Sequence, residues 1–445
     1  MTDDHALLCA LATPPADTAR LVVAFSGGRD SASLLHALAS QAGGPTLCAV
    51  HVCHHLEAQC EGWAAFCTRQ AEALGVPLTR LDVAVDVSQG GLEAAARAAR
   101  YAAIADWLAP GDVLVCAHHA RDQAETVLLQ ALRGTGMRGL AAMPRLAALG
   151  PGRLWRPWRD VSSEAIAAYA TRHTLDYIDD PSNTDPRRER GWLDQTIWPA
   201  LVARRAGVVG ALSRVAERAA EATAAIEALA GVDLAASTSA DGALSIAALA
   251  GLSAPRRAEV LRRWLGDNAA DVPDHRQIAA LAGLLEAREH NSPRVVFGAT
   301  EVRRFDGRLF VMRRLAPPPD GVFAWTGPAT VALPGDAGCL ALDAPVPATA
   351  WPDALTVVFR RGGERIVRAD GRRIALKDWL REQRIAPWVR ERMPLIYVAD
   401  RLVAVADRWL CADWPACFAG FDVRPRWRHE LVGDPGCVVA SRALG

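Results

Sequence analysis

Lysine is nearly missing from this chain: Lys377 is the only one in 445 residues, and arginine supplies the rest of the 50 basic side chains. A bias so uniform reflects composition, so an arginine by itself is no sign of bidentate phosphate recognition. Net charge is missing too, because 50 acidic residues balance the basic ones. That excludes indiscriminate attraction to nucleic acid and leaves only local basic patches open. No apolar run approaches the roughly 20 residues of a membrane span. The opening MTDDHALLCALATPP carries acids where a signal peptide needs positive charge, so a soluble, cytoplasmic protein is expected. Ten cysteines include no C-x-x-C pair, which points to reduced, mostly buried thiols. Cys53, Cys60 and Cys67 recur every seven residues, a spacing read as packing along one helix face, since zinc wants closer paired ligands.

Two common nucleotide loops are absent from the glycine turn near the start of the chain as well. No Gly-Lys-Ser/Thr follows a glycine loop, and G-x-G-x-x-G does not occur after a strand. What stands instead is LVVAFSGGRDS, Leu21 to Ser31. Leu21 to Phe25 has the length and composition of a buried strand. Helical spacing of Ala32, Leu34, Leu35, Ala37 and Leu38 begins at once, so Asp30 and Ser31 fall at a helix start. Glycines let the backbone turn tightly there, and unpaired amides at a helix N-terminus favour an anion, most often phosphate.

Further apolar stretches, Thr46 to Val52, Leu78 to Val85 and Val113 to Ala117, alternate with helical patterns at Glu61 to Leu74 and Leu92 to Leu108. Such alternation predicts an α/β fold, a mostly parallel sheet covered by helices on both faces. Ligands then bind beyond the carboxyl ends of the strands, where Ser26, His51 and His118 should gather. HVCHHL, His51 to Leu56, and AHHARDQAET, Ala117 to Thr126, follow the second and fourth strands. Their histidines and acids have the types of metal ligands, but strand-to-helix loops on the nucleotide side equally serve substrate or adenine, and that reading is preferred. Asp122 and Glu125 stand three apart at a helix start, so both carboxylates face one way.

SGGRDS, Ser26 to Ser31, resembles the pyrophosphate loop of the N-type ATP pyrophosphatases. With EAAARAARY (Glu93 to Tyr101), AHHARDQAET, RGTGMRGLAAMP (Arg133 to Pro144), RPW (Arg156 to Trp158) and DDPSNTDPR (Asp179 to Arg187), the set is similar, in order, to the tRNA(Ile)-lysidine synthetases. The resemblance covers residues 20 to 200 closely. It implies ATP-dependent attachment of free L-lysine to carbon 2 of the wobble cytidine of tRNA(Ile) with a CAU anticodon, through an adenylated intermediate. It also implies that Ser26, Gly27, Gly28, Arg29, Asp30 and Ser31 hold ATP and its pyrophosphate, with Asp30 on Mg2+. Arg97 matches the active-site arginine, with Arg100 as competitor, and Asp122 and Glu125 match the pair that holds lysine. Two departures stand out: Arg121 replaces the first of two usual acids, and the usual Arg-Asn-x-x-Arg reads Arg190-Gly191-Trp192-Leu193-Asp194. The RNA contacts that the family makes through those side chains do not carry over to this chain.

Three domains are expected: 1–200 for adenylation, a mainly helical 201–315, and a small α+β 320–445 after the stiff linker APPPDG. Positions 357–392 hold 11 basic and 5 acidic residues, enough for several phosphate contacts. Arg372, Arg373, Lys377, Arg381 and Arg384 are read around one amphipathic helix with Trp379 and Trp388 nearby, an RNA-facing arrangement. It resembles the tRNA-recognising C-terminal domain of the same family. Arg133, Arg138, Arg372, Arg373 and Lys377 are the tRNA candidates. The oligomeric state stays open, a homodimer being one arrangement. Other readings are a tRNA thiolation enzyme, disfavoured by the missing C-x-x-C; an amidating synthetase, which leaves the basic segment unexplained; and a nucleotide-binding RNA adaptor without chemistry.

Overall fold

The computed structural model describes residues 4–41, 43–55, 59–86, 91–179, 189–268, 275–287, 293–352 and 355–431. By its internal contacts the chain divides into two compact units, 1–225 and 226–445.

The first unit begins with α1 (Asp4–Leu11) and then alternates: β1 (Arg20–Ala24), α2 (Arg29–Ala39), β2 (Thr46–Cys53), α3 (Cys60–Ala73), β3 (Leu78–Asp82), α4 (Leu92–Trp107), β4 (Asp112–Val115) and α5 (Ala120–Leu132). It continues with α6 (Met137–Leu140), the hairpin β5 (Leu146–Leu149) and β6 (Gly152–Trp155), α7 (Ser163–Arg172) and α8 (Glu189–Trp192). A π-helical turn, Leu193–Ile197, leads into α9 (Trp198–Arg204) and the long α10 (Val208–Ser237). The six strands run β3-β2-β1-β4-β6-β5, all pairs parallel except the closing hairpin. Alternation within the strands explains why helices cover both faces. Leu21, Val23, Val113 and Val115 pack with Leu34 and Leu35 of α2 on one side. Val22, Val50 and Leu114 pack with Ile104 of α4 and Leu108 on the other. Each such side chain contributes about 1.5–3 kcal/mol by leaving water, which makes the central strands the rigid base of the unit.

Strand order reverses at β1. The chain steps outward from β1 to β2 and β3, then returns to place β4 on β1's opposite side, leaving a crevice between the carboxyl ends of β1 and β4.

The second unit holds β7 (Leu244–Ser245), α11 (Ile246–Ala250), α12 (Ala254–Asn268), α13 (His275–Glu286) and the antiparallel β8 (Arg294–Phe297), β9 (Thr300–Phe305) and β10 (Arg308–Arg313) around one apolar core. Short antiparallel sheets follow, built from β11 (Val322–Ala324), β12 (Val331–Ala332), β13 (Cys339–Leu342), β14 (Leu355–Val358), β15 (Arg365–Val367) and β16 (Arg373–Ala375), with α14 (Leu376–Glu382) and α15 (Pro387–Arg390) after them. β17 (Leu395–Val398), β18 (Arg401–Val405), β19 (Trp409–Leu410), α16 (Trp414–Cys417) and β20 (Pro425–Arg428) complete this part.

Three sequence readings are corrected here. The cysteines at 53, 60 and 67 do not share a helix: Cys53 ends β2 and Cys60 opens α3. Nor are all thiols reduced, because Cys53 and Cys60 are joined as a disulfide. The basic segment is not one helix either. Arg373 lies in β16, Lys377 and Arg381 in α14, and Arg384 follows α14 with φ 50°. Trp388 sits in α15, fully buried against Phe305 and Phe310. It is core, and no base can stack on it.

Candidate active site

The loop after β1 is shaped by Gly27. Its φ is +84°, and a Cβ there would lie 2.7 Å from Ile178 Cδ1 and 3.0 Å from Cys67 Sγ, so no side chain fits. Gly28 precedes α2 in extended conformation and offers no side-chain cap. The first amides of α2 are thus left to an anion. The hydroxyls are held beside them: Ser31 Oγ donates to Gly28 O at 2.9 Å and lies 3.1 Å from Ser26 Oγ. Arg29 Nε donates to Asp30 Oδ1 at 2.9 Å.

Across the crevice, His119 caps α5. Its backbone N–H donates to Asp122 Oδ2 at 3.0 Å, and its Nδ1 receives the Asp122 N–H at 3.4 Å, a reciprocal cap that fixes both residues. The other ring nitrogen of His119 lies 3.5 Å from Asp30 Oδ2. Asp122 Oδ1 receives Arg190 Nη2 at 2.9 Å, and Arg190 Nε reaches Glu125 Oε2 at 3.4 Å. Glu125 Oε1 receives Arg121 Nε at 3.0 Å, and Arg121 pairs in turn with Asp194 while its guanidinium covers the Trp198 ring. When His119 is protonated its Nδ1 faces Asp122 Oδ2 at 3.4 Å as a donor instead of accepting the Asp122 N–H, and charges of alternating sign then run from the loop after β1 to the helices after residue 188: Asp30, His119, Asp122, Arg190, Glu125, Arg121, Asp194.

This chain sets the local protonation. Burial opposes a charge on His119, but its hydrogen bond to Asp30 and the charges of Asp122, Asp30 and Glu125 lift it above its ordinary value. Burial likewise opposes ionisation of Asp30, and His119 and Arg29 together hold its carboxyl below the usual range. His118 behaves oppositely. Burial, with Arg156, Arg97 and Arg190 nearby, outweighs Asp122 and pushes it down to about 4. Its Nδ1 is buried with no partner among the described residues. His51 donates from Nδ1 to Phe25 O at 2.9 Å, and burial lowers it too.

Ser26 to Ser31, Asp122 and Glu125 thus stand around one crevice. Arg97 lies on α4 over the Tyr101 ring, close enough to lower His118, whereas Arg100 turns to His54 Nε2 at 3.4 Å. Arg133 closes α5 and pairs with Glu189, and Arg138 lies on α6. Gln123 ties that glycine-rich segment to α5, accepting from Met143 N at 3.0 Å. Arg156 is buried against Pro144 O, and Trp158 donates to Leu7 O, so RPW is structural. Of DDPSNTDPR only Asp179 lies within the described residues.

Sequence reasoning missed the roles of His119, Arg190 and Arg121. It grouped His119 with its neighbour as a generic polar residue, and it treated Arg121 and Asp194 as separate losses. They meet each other.

The comparisons agree along the whole chain. Residues 4–201 match a PP-loop domain, residues 244–310 the TilS substrate binding domain and residues 355–427 the TilS substrate C-terminal domain. The chain is 39% identical over 431 residues to the tRNA(Ile)-lysidine synthase of Xanthomonas campestris pv. campestris, covering 95% of this chain and 98% of that one. It is 40% identical to the same enzyme of Pseudomonas aeruginosa, covering 86% and 89%, and 39% identical to that of Ralstonia nicotianae, covering 94% of each. A crevice lined by an uncapped helix start and a carboxylate pair, within a chain so related end to end, identifies it as a member of the tRNA(Ile)-lysidine synthase family.

Proposed function

We propose that the protein adenylates the wobble cytidine of tRNA(Ile) with ATP and then joins free L-lysine to its carbon 2, giving lysidine, AMP and pyrophosphate. The cytosine 2-carbonyl oxygen is a poor leaving group, so it attacks the α-phosphate first and leaves later as AMP. The ε-amine of lysine displaces it. One observation carries this reading: the ion-pair chain that links the anion-ready loop at Ser26–Ser31 to the carboxylates of Asp122 and Glu125.

In this scheme the amides that open α2 and the Ser26 and Ser31 hydroxyls grip the departing pyrophosphate. Gly27 supports that role, since the space a Cβ would fill is already closed by Ile178 and Cys67. Asp30, about a third exposed at the same loop, would hold Mg2+, whose charge offsets that of the phosphates; one protein carboxylate with substrate phosphates suits that ion. Arg97 faces the charge that develops at the α-phosphate. Asp122 and Glu125 take the lysine ammonium in place of Arg190, and one of them accepts the proton as the amine becomes nucleophilic.

The tRNA is held by Arg133, Arg138, Arg372, Arg373 and Lys377, the last three exposed in the second unit. A division into 1–200, 201–315 and 320–445 assigns catalysis, with the tRNA contacts of Arg133 and Arg138, to the first part and the remaining recognition of tRNA(Ile) with its CAU anticodon to the others. No described helix is long and apolar enough to cross a membrane, which is in keeping with work in the cytoplasm. Pyrophosphate release measured with purified tRNA, with and without lysine, tests the scheme. Lysine-dependent incorporation into tRNA(Ile) is expected; sulfur incorporation, or no turnover, overturns it.

A further inference from the structure

At the carboxyl end of β2, beside the strand that carries the catalytic loop, three side chains converge that the reaction does not use. Cys53 Sγ, Cys60 Sγ and a ring nitrogen of His55 all lie within 4.8 Å of one another. His55 Nδ1 faces Cys53 Sγ at 3.9 Å, and its other nitrogen, Nε2, is 2.8 Å from Asp82 Oδ1. Asp82 is fixed in turn. It is the cross-strand partner of Cys53 on β3, and Arg80 donates to its Oδ1 from Nε at 3.0 Å and from Nη2 at 2.7 Å. A second carboxylate, Glu61, steadies Arg80 from the start of α3, next to Cys60.

We propose that, with the two cysteines reduced, Cys53, His55 and Cys60 form a site for a thiophilic divalent cation of the zinc class. Three features support a metal site over a simple cross-link. A disulfide needs two residues, whereas a third donor of matching softness is present here. The His55 ring is oriented as in metal sites generally, one nitrogen toward the sulfurs and the other on a carboxylate that sets its tautomer and raises its basicity. And His55 adopts φ 52°, a left-handed conformation that a non-glycine residue adopts at a cost, which is consistent with a loop shaped to present its ring.

The geometry asks for little movement. Sulfurs about 2.3 Å from a tetrahedral zinc stand about 3.8 Å apart, and the 6.2 Å between the Cα atoms of Cys53 and Cys60 admits that separation by side-chain rotation alone. Binding releases the two thiol protons and leaves both sulfurs as thiolates. Two thiolates and one imidazole leave a fourth position for water. The disulfide and the metal are alternatives, because each uses both sulfurs. The consequence for the fold is a clamp between the end of β2 and the start of α3, beside His54, whose Nε2 meets Arg100.

The test uses the full chain, reduced with a phosphine and freed of metal, titrated with Co2+ and then Zn2+. One equivalent of Co2+ should give the near-ultraviolet band of cobalt bound to thiolate, with the strong visible bands of a tetrahedral site, and one equivalent of Zn2+ should abolish both. Zn2+ should also protect two cysteines from alkylation. Cys53→Ser and Cys60→Ser should lose the band, His55→Ala should weaken it, and Asp82→Asn should lower the affinity about 10–100-fold. Cys9→Ser, in the exposed part of α1, should keep it. The wild-type titration does not depend on any variant folding. No stoichiometric thiolate band from the reduced chain overturns the proposal, as does a pair that cannot be reduced without unfolding, or equal loss in Cys9→Ser.

Discussion

Asp122 has both oxygens committed before any substrate arrives, one to the cap of α5 and one to Arg190. Glu125 is held the same way, between Arg190 and Arg121. In the proposed scheme an incoming ammonium replaces a guanidinium without exposing a bare charge, which keeps the site balanced whether filled or empty. Charge-assisted hydrogen bonds contribute about 1.5–3 kcal/mol, so Asp122→Asn or Glu125→Gln should raise the KM for lysine about 10–100-fold. The KM for ATP should stay within about threefold, since neither residue touches the loop after β1 directly. Lysine saturation curves at fixed ATP check this, and an unchanged lysine KM would remove both residues from that role. The two departures at 121 and 194 make a second case. Arg121 pairs with Asp194 and holds Glu125, so Arg121→Asp and Asp194→Arg should each lower kcat/KM for lysine. Combined, they restore the pair between 121 and 194 but not the hold on Glu125, so the double variant should recover part of the loss, a coupling of about 0.5–3 kcal/mol. Additive losses in that cycle would mean the pair is incidental.

The elements that carry the site are β1 with α2 and β4 with α5, and each junction has a weak point that can be measured. Gly27→Ala puts a methyl group at φ +84° against Ile178 and Cys67. It should cost about 1–3 kcal/mol of stability and weaken ATP binding at least about tenfold, read from thermal melts and the KM for ATP. At the second junction, adjacent histidines respond to pH in opposite directions. His118 stays neutral when folded, with its value at about 4, below the unfolded value of about 6.5. Its contribution to stability is whole above that unfolded value and is lost as pH falls toward 4. His119 is raised, so its contribution is whole below about pH 6.5 and is lost as pH rises through its folded value. Melts from pH 4.5 to 8.5 should show His118→Gln flattening the acid side and His119→Gln the alkaline side, by about 1.4 kcal/mol for each tenfold change in proton affinity that the substitution removes. These elements were legible in the sequence because parallel strands buried on both faces read as unbroken apolar runs: Leu21 to Phe25 anticipated β1 within a residue at each end. Period failed where tertiary context decided. The bases from Arg372 to Arg384 have helical spacing, yet the positive φ of Gly371 and the pairing of Arg373 with Val367 commit the first of them to a hairpin. Partners distant in sequence, such as Arg190 for Asp122, left no periodic trace at all.

Across the whole molecule the balance of charge is nearly even in each unit: residues 1–225 hold 21 basic and 24 acidic side chains, residues 226–445 hold 29 and 26. Neither unit has a field strong enough to gather RNA at a distance, so affinity for tRNA has to come from local patches and be sensitive to salt. Many of the bases between 357 and 392 are already spent inside the protein. Arg392 is buried and donates to Trp388 O and Ala316 O, Arg368 pairs with Glu382, and Arg361 pairs with Asp320. Arg390, half-buried beside Arg381 and Arg360, is pushed down to about 10 by burial first and by those like charges second. A further cation there is already unfavourable, and an anion would relieve it. Arg372, Arg373 and Lys377 remain exposed, with Arg372 only 3.9 Å from Asp370 as a loose pair. The triple variant Arg372→Ala, Arg373→Ala and Lys377→Ala should therefore weaken tRNA binding about equally for all tRNAs. It should also flatten the dependence of log Kd on log salt by about 2, because each lost phosphate contact removes about 0.7–0.9 of slope. The lysine KM should not move, since Asp122 and Glu125 are untouched. Filter binding from about 50 to 300 mM salt decides it. An unaltered slope would place the phosphate contacts elsewhere on the chain, with Arg133 and Arg138 the next to replace.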